Sequence, residues 1–106
     1  MDRHRLAEER SIALHRAVAD QLRKDPRLLE RARERVRGWR DSGSVAIEYI
    51  TGWESILGGS LEEIDTALVD PSENARALRQ VSPFAGFLEP RERWRILKSV
   101  APVSDP

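Results

Sequence analysis

The sequence predicts an all-α fold, a single domain of five to six short helices packed as an irregular bundle. Apolar residues recur at the three-to-four-residue spacing of amphipathic helices, and capping residues or breakers stand at the ends of nearly every such stretch. With 106 residues, the chain can bury about two thirds of its unfolded surface in one core. We assign 1–106 to that domain and expect 101–106 to be a frayed tail.

An Asp-Pro dipeptide separates the first two predicted helices. Apolar spacing predicts a first helix over 4–24, which ends at Asp25 and Pro26. The same pair favours a new start, because the Asp25 carboxylate accepts from free amides and proline at the first helical position loses no hydrogen bond. The second helix therefore covers 26–40.

Serine caps and a glycine pair delimit the next two helices. We expect Ser44 to cap a third helix that ends at the glycines in 58–59. Ser60 and Glu63 have the spacing of a capping box, in which each side chain satisfies the other's free backbone amide. They predict a short fourth helix.

Two prolines mark the last helices. The segment 71–80 is predicted as a fifth helix with proline at its first position, and Pro90 is expected to open the final one. Between them, 82–88 has no helical period, so it is either an ordered apolar connection or an exposed apolar segment that attracts a partner. We expect Trp53 and Trp94 to lie in the core, since both stand on apolar stripes.

Charge is sorted into blocks, although the formal net charge is zero. Residues 23–40 carry eight bases and three acids, whereas residues 41–80 carry eight acids and two bases. Such a dipolar surface steers partners and indicates a binding protein. The chain has no cysteine and no long apolar run, so we expect a cytoplasmic protein without membrane association.

The predicted second helix and the connection after the fifth carry the candidate partner-binding residues. Arginines recur every fourth residue along one helix face, where guanidinium groups can bind carboxylates or phosphates; a merely solvated face is the alternative interpretation. Two phenylalanines flank a glycine in the non-helical connection, where exposed rings would anchor a partner. The predicted partner-binding residues are Arg27, Arg31, Arg35, Phe84 and Phe87.

No residue pattern indicates a metal or a cofactor. Glu62, Glu63 and Asp65 form an acidic cluster, but the capping box uses Glu63 and no histidine is near. We therefore predict no metal site, no cofactor and no catalytic residue.

Two other functions are open. Helix 26–40 has the basic face of a recognition helix in a DNA-binding regulator, although the neutral overall charge and the acidic block disfavour nucleic acid. Arg10 and His15 have the Arg-x4-His spacing of HEPN ribonucleases, where histidine and arginine cleave RNA by acid–base chemistry. We interpret His15 as a histidine at the boundary of the apolar stripe.

Three stretches, 10–16, 77–86 and 90–96, resemble those of small bacterial proteins of antitoxin type. The resemblance implies a non-enzymatic protein that binds a cognate toxin, encoded by a neighbouring gene, and occludes its active site. The resemblance identifies no catalytic or binding residue in this sequence. If the toxin site is basic, the acids between Glu48 and Glu73 would imitate a run of phosphates. The sequence leaves open whether the chain forms a homo-oligomer.

Overall fold

The computed structural model describes residues 3–100, in which six α-helices and no strands occur. This confirms the all-α prediction. The predicted frayed tail, 101–106, lies outside the described residues. The helices are α1 (Arg3–Lys24), α2 (Leu28–Ser42), α3 (Ile47–Leu57), α4 (Leu61–Leu68), α5 (Glu73–Arg79) and α6 (Pro90–Ser99).

Several helix ends follow the predicted chemistry. Ser60 Oγ accepts from the Glu63 amide while the Glu63 carboxylate accepts from the Ser60 amide, so the capping box is confirmed. Pro90 stands in the first turn of α6, as expected. In contrast, α5 begins at Glu73 rather than 71, because Ser72 is its N-cap and accepts from the Ala75 amide.

The predicted cap at Ser44 is wrong. Helix α2 ends at Gly43, whose φ of 68° lies in the left-handed region that glycine adopts at little cost. The Ser44 hydroxyl lies 2.8 Å from the Ser42 hydroxyl, and the Ser44 amide donates to the same oxygen. Helix α3 starts later, with Ala46 as a N-cap that makes no side-chain hydrogen bond.

All six helices contribute to one packed domain. Helix α1 packs against α4 and α6, while α2 packs against α3, and α5 contacts both α3 and α4. Trp53 lies at the centre and is 1% exposed, as predicted. Its Nε1 donates to the carbonyls of Leu78 at 3.0 Å and Val81 at 2.7 Å, and thereby satisfies backbone groups at the end of α5.

The connection between α5 and α6 is part of the core. Phe84 packs edge-on against Trp53, with ring centroids 6.0 Å apart, and against Phe87, at 5.3 Å. Leu88 is also buried. Of the two interpretations of 82–88, these contacts support the ordered apolar connection, which supplies core side chains without helical geometry.

Helix α6 differs most from expectation. Trp94 is 62% exposed, so its predicted place in the core is wrong. The side chain that packs on the core is Ile96, and it lies about 200° around the helix from Trp94 at 100° per residue. One of the two must therefore face solvent. Within residues 3–100, no helix has the length and apolar character needed to cross a bilayer.

Candidate functional site

Four of the five predicted partner-binding residues come together. The Arg31 guanidinium lies 4.4 Å from the centre of the Phe87 ring, and that of Arg35 lies 5.5 Å away. Arg35 Nη1 also donates to the carbonyls of Pro83 and Ala85, at 2.9 and 2.6 Å. The two arginines thus hold the connection after α5 against α2.

The expected exposure of the two phenylalanines is wrong. Phe84 is 3% exposed and Phe87 is 9% exposed. The cause lies in long-range packing. Phe84 and Trp53 form a T-shaped ring contact, and the Arg31 guanidinium lies over the Phe87 ring. Buried rings cannot anchor a partner, so neither enters the function proposed below.

Most other arginines of the basic block are engaged within the chain. Arg27 is exposed and bonds Asp25 at 2.8 Å, which holds the pKa of that carboxyl below its usual range. Arg33 donates to the Leu57 carbonyl at 2.9 Å. Arg40 and Glu54 form two hydrogen bonds, at 2.7 and 2.9 Å, through which Arg40 lowers the Glu54 pKa. Few of these groups are left to bind phosphates. Partner binding by Arg27, Arg31 and Arg35 stays a prediction.

A different surface, on α6, is open. We define the α6 face as Trp94 with the exposed bases Arg91, Arg95 and Lys98 around it. Lys98 Nζ lies 4.4 Å from the centre of the Trp94 ring, a cation–π contact. Arg91 and Arg95 make no side-chain hydrogen bond or ion pair with any described residue. These residues are not among those predicted to bind a partner, although four bases in the ten residues of α6 were visible in the sequence.

No family model, curated protein or solved structure matches this chain. Within residues 3–100, no group of three or more histidine and acidic side chains is arranged to hold a metal ion. Functional inference therefore rests on the side chains themselves.

Arg10 and His15 both occupy structural positions. Arg10 Nε donates to the Val100 carbonyl at 3.3 Å. His15 is 7% exposed; Nδ1 lies 2.7 Å from the Ser11 carbonyl and Nε2 lies 2.9 Å from Ser82 Oγ. Burial lowers the His15 pKa and the charge of Arg79 lowers it further, so the ring is neutral near pH 7. Since both nitrogens are occupied, the geometry favours a structural histidine over a catalytic one.

Proposed function

We propose that this chain is a protein-binding module of antitoxin type, which recognises an acidic surface on a cognate toxin through the α6 face. The observation that carries the proposal is Trp94, a large aromatic side chain that is 62% exposed and has the Lys98 ammonium against its ring. The antitoxin role is the form of binding that the resemblance of 10–16, 77–86 and 90–96 to such proteins favours.

The chemistry of the α6 face matches that of interface hot spots. Tryptophan and arginine dominate binding energies at protein interfaces, because each combines a large contact area with hydrogen bonding or charge. Trp94 offers apolar area to a pocket, while Arg91 and Arg95 present guanidinium groups that can pair bidentately with carboxylates. Because neither arginine has a partner among the described residues, binding need not break an internal ion pair.

The acidic block of residues 41–80 is a poorer candidate for the toxin-binding surface than the α6 face. Three of its carboxylates are paired within the chain: Glu54 with Arg40, Asp65 with Arg23, and Glu73 with Arg76. Glu63 is used in the capping box. A run of phosphates would be imitated better by unpaired acids, so we place the interface on the bases of α6.

A protein is favoured over nucleic acid by the charge of the whole chain. The net charge is zero, with eight acids in residues 41–80. Dedicated nucleic-acid binders carry a clear positive excess, because phosphate contacts supply most of their affinity. A chain without net charge instead suits a partner that presents a local acidic patch to the α6 face. The bound module would then cover the toxin's active site.

The test is co-expression with the product of the neighbouring gene and purification through a tag on that product. We expect the wild-type chain to co-purify and the double reversal Arg91→Glu/Arg95→Glu to be lost. The matched control, Arg27→Glu/Arg37→Glu, makes the same charge change on α2 and should be retained. Retention of the α6 variant with loss of the control would transfer the interface to α2. Failure of the wild-type chain to bind would reject the toxin partner.

A further inference from the structure

A cleft lies between α1, α6 and the connection that follows α5. Its volume is about 360 Å³, within the range of small-molecule sites. Apolar side chains form much of its wall, among them Leu14 of α1, Phe84 and Leu88 of the connection, and Leu97 of α6. The cleft therefore offers an apolar surface that a ligand of modest size could fill.

The charged side chains that line this cleft are all basic. Arg10, Arg79 and Arg93 line it, whereas no aspartate or glutamate is among the described residues of its wall. Three other cavities each include at least one acid beside their bases: Glu54, Glu8 and a pair of aspartates. A concave site with three cations and low-dielectric walls concentrates anions.

Arg79 is an unusual source of that charge. It is 5% exposed, and Nη1 donates to the carbonyls of Leu68 and Asp70. Nε and Nη2 are buried and make no hydrogen bond within the described chain. Glu8 and Asp70 attract this guanidinium from a distance, but no described carboxylate forms an ion pair with it, and burial disfavours its charge and lowers its pKa. An anion bound in the cleft would offset the cost of this burial through its electrostatic attraction to the Arg79 guanidinium.

Arg10 and Arg93 supply the groups that can touch a ligand. Arg93 is exposed and makes no side-chain hydrogen bond with a described residue. Arg10 uses Nε for the Val100 carbonyl, which leaves both Nη nitrogens without a partner in the described chain. These side chains stand on different helices, α1 and α6, so an oxyanion can be held between them by charge-assisted hydrogen bonds.

We propose that this cleft binds a small organic anion, whose phosphate or carboxylate head lies between Arg10 and Arg93 and whose apolar body packs against Leu14 and Leu88. The site is separate from the α6 face: Trp94, Arg91 and Arg95 do not line it. The cleft is formed by the described residues of one chain, so anion binding can be tested on the isolated protein.

The experiment is a calorimetric titration of the purified chain with phenyl phosphate. Benzoate, inorganic phosphate and benzyl alcohol are titrated in parallel. We expect phenyl phosphate or benzoate to bind, benzyl alcohol not to bind, and inorganic phosphate to bind more weakly than phenyl phosphate. Tighter binding of phenyl phosphate assigns the site to phosphates, and tighter binding of benzoate assigns it to carboxylates.

Matched variants locate the site. Arg93→Gln and Arg10→Gln should each weaken binding by about tenfold, because each removes a charged hydrogen bond. Arg95→Gln makes the same change two residues further along α6, about 200° around the helix from Arg93 and outside the cleft wall, and should leave the affinity unchanged. Equal loss in Arg95→Gln would show diffuse charge attraction and overturn the proposal. So would absence of binding by both aromatic anions at millimolar concentration, or equal affinity for benzyl alcohol.

Discussion

His15 Nε2 lies 2.9 Å from the hydroxyl of Ser82, 67 residues further along the chain, and this contact ties α1 to the connection before α6. The direction of the bond follows from the other ring nitrogen. The Ser11 carbonyl can only accept, so Nδ1 carries the proton, and the neutral ring accepts at Nε2 from the Ser82 hydroxyl. The Phe84 amide donates to the same hydroxyl oxygen. While the ring is neutral, this chain of hydrogen bonds is satisfied without placing a charge in the buried site.

This geometry predicts a loss of stability on mild acidification. Burial lowers the folded-state pKa of His15 below 6.5, so the unfolded chain binds the proton more readily. The free energy of unfolding should therefore be highest above that value and fall as the pH drops below it. Urea titrations between about pH 5 and 7 measure the fall. His15→Gln should be less stable near neutrality, and its free energy of unfolding should depend less on pH between about pH 5 and 7. An unchanged slope of unfolding free energy against pH would contradict a buried, neutral histidine.

Truncating Phe84 to alanine should destabilise the fold. The ring is 3% exposed and packs against Trp53 and Phe87, so its removal should cost about 3–5 kcal/mol of unfolding free energy. Chemical denaturation followed by circular dichroism measures this. Trp94→Ala is the matched control, since truncation of an exposed aromatic should change stability by no more than about 0.5 kcal/mol. Equal effects of the two truncations would contradict the observed burial.

Two helical glycines should respond oppositely to alanine. At Gly38, nothing lies within 4 Å of an added Cβ, so Gly38→Ala should stabilise by about 0.5–1 kcal/mol through helix propensity. At Gly52, the Cβ would lie 2.7 Å from Cδ2 of the buried Leu78. That overlap should cost about 1–3 kcal/mol and outweigh the propensity gain. Thermal unfolding of the two variants checks the opposite signs; stabilisation by Gly52→Ala would show that α3 and α5 pack less closely.

Trp53→Phe should loosen the end of α5. The substitution keeps an aromatic ring but removes the Nε1 donor to the carbonyls of Leu78 and Val81. Leaving those carbonyls without this partner should lower stability by about 1–3 kcal/mol. The same change at Trp39, which is half-buried and makes no side-chain hydrogen bond with a described residue, should cost less. Denaturation midpoints of both variants measure the difference. A larger effect at Trp39 would contradict the stabilising role of the Trp53 hydrogen bonds at the end of α5.

Local chemistry was predictable from the sequence, and long-range packing was not. The Ser60 and Glu63 capping box depends on residues three apart, so its spacing alone predicts it. Phe84 was predicted as exposed because its burial depends on Trp53, 31 residues earlier, and on the fold of a segment without a period. Trp94 was predicted as buried because its spacing puts it on the same face of α6 as Leu97. In the structure Ile96 packs on the core instead, and Trp94 faces solvent. The buried, unpaired Arg79 had no local signal at all.

The most direct test of recognition by the α6 face is the affinity of the purified chain for the product of the neighbouring gene, measured by isothermal titration calorimetry. Trp94→Ala should weaken binding by about 2 kcal/mol or more, which is about thirtyfold in Kd. Ile47→Ala truncates the other large apolar side chain that is exposed within residues 3–100, 51% exposed on α3, and should leave Kd unchanged. Unchanged affinity in Trp94→Ala, with the wild-type chain binding, would contradict the proposed interface.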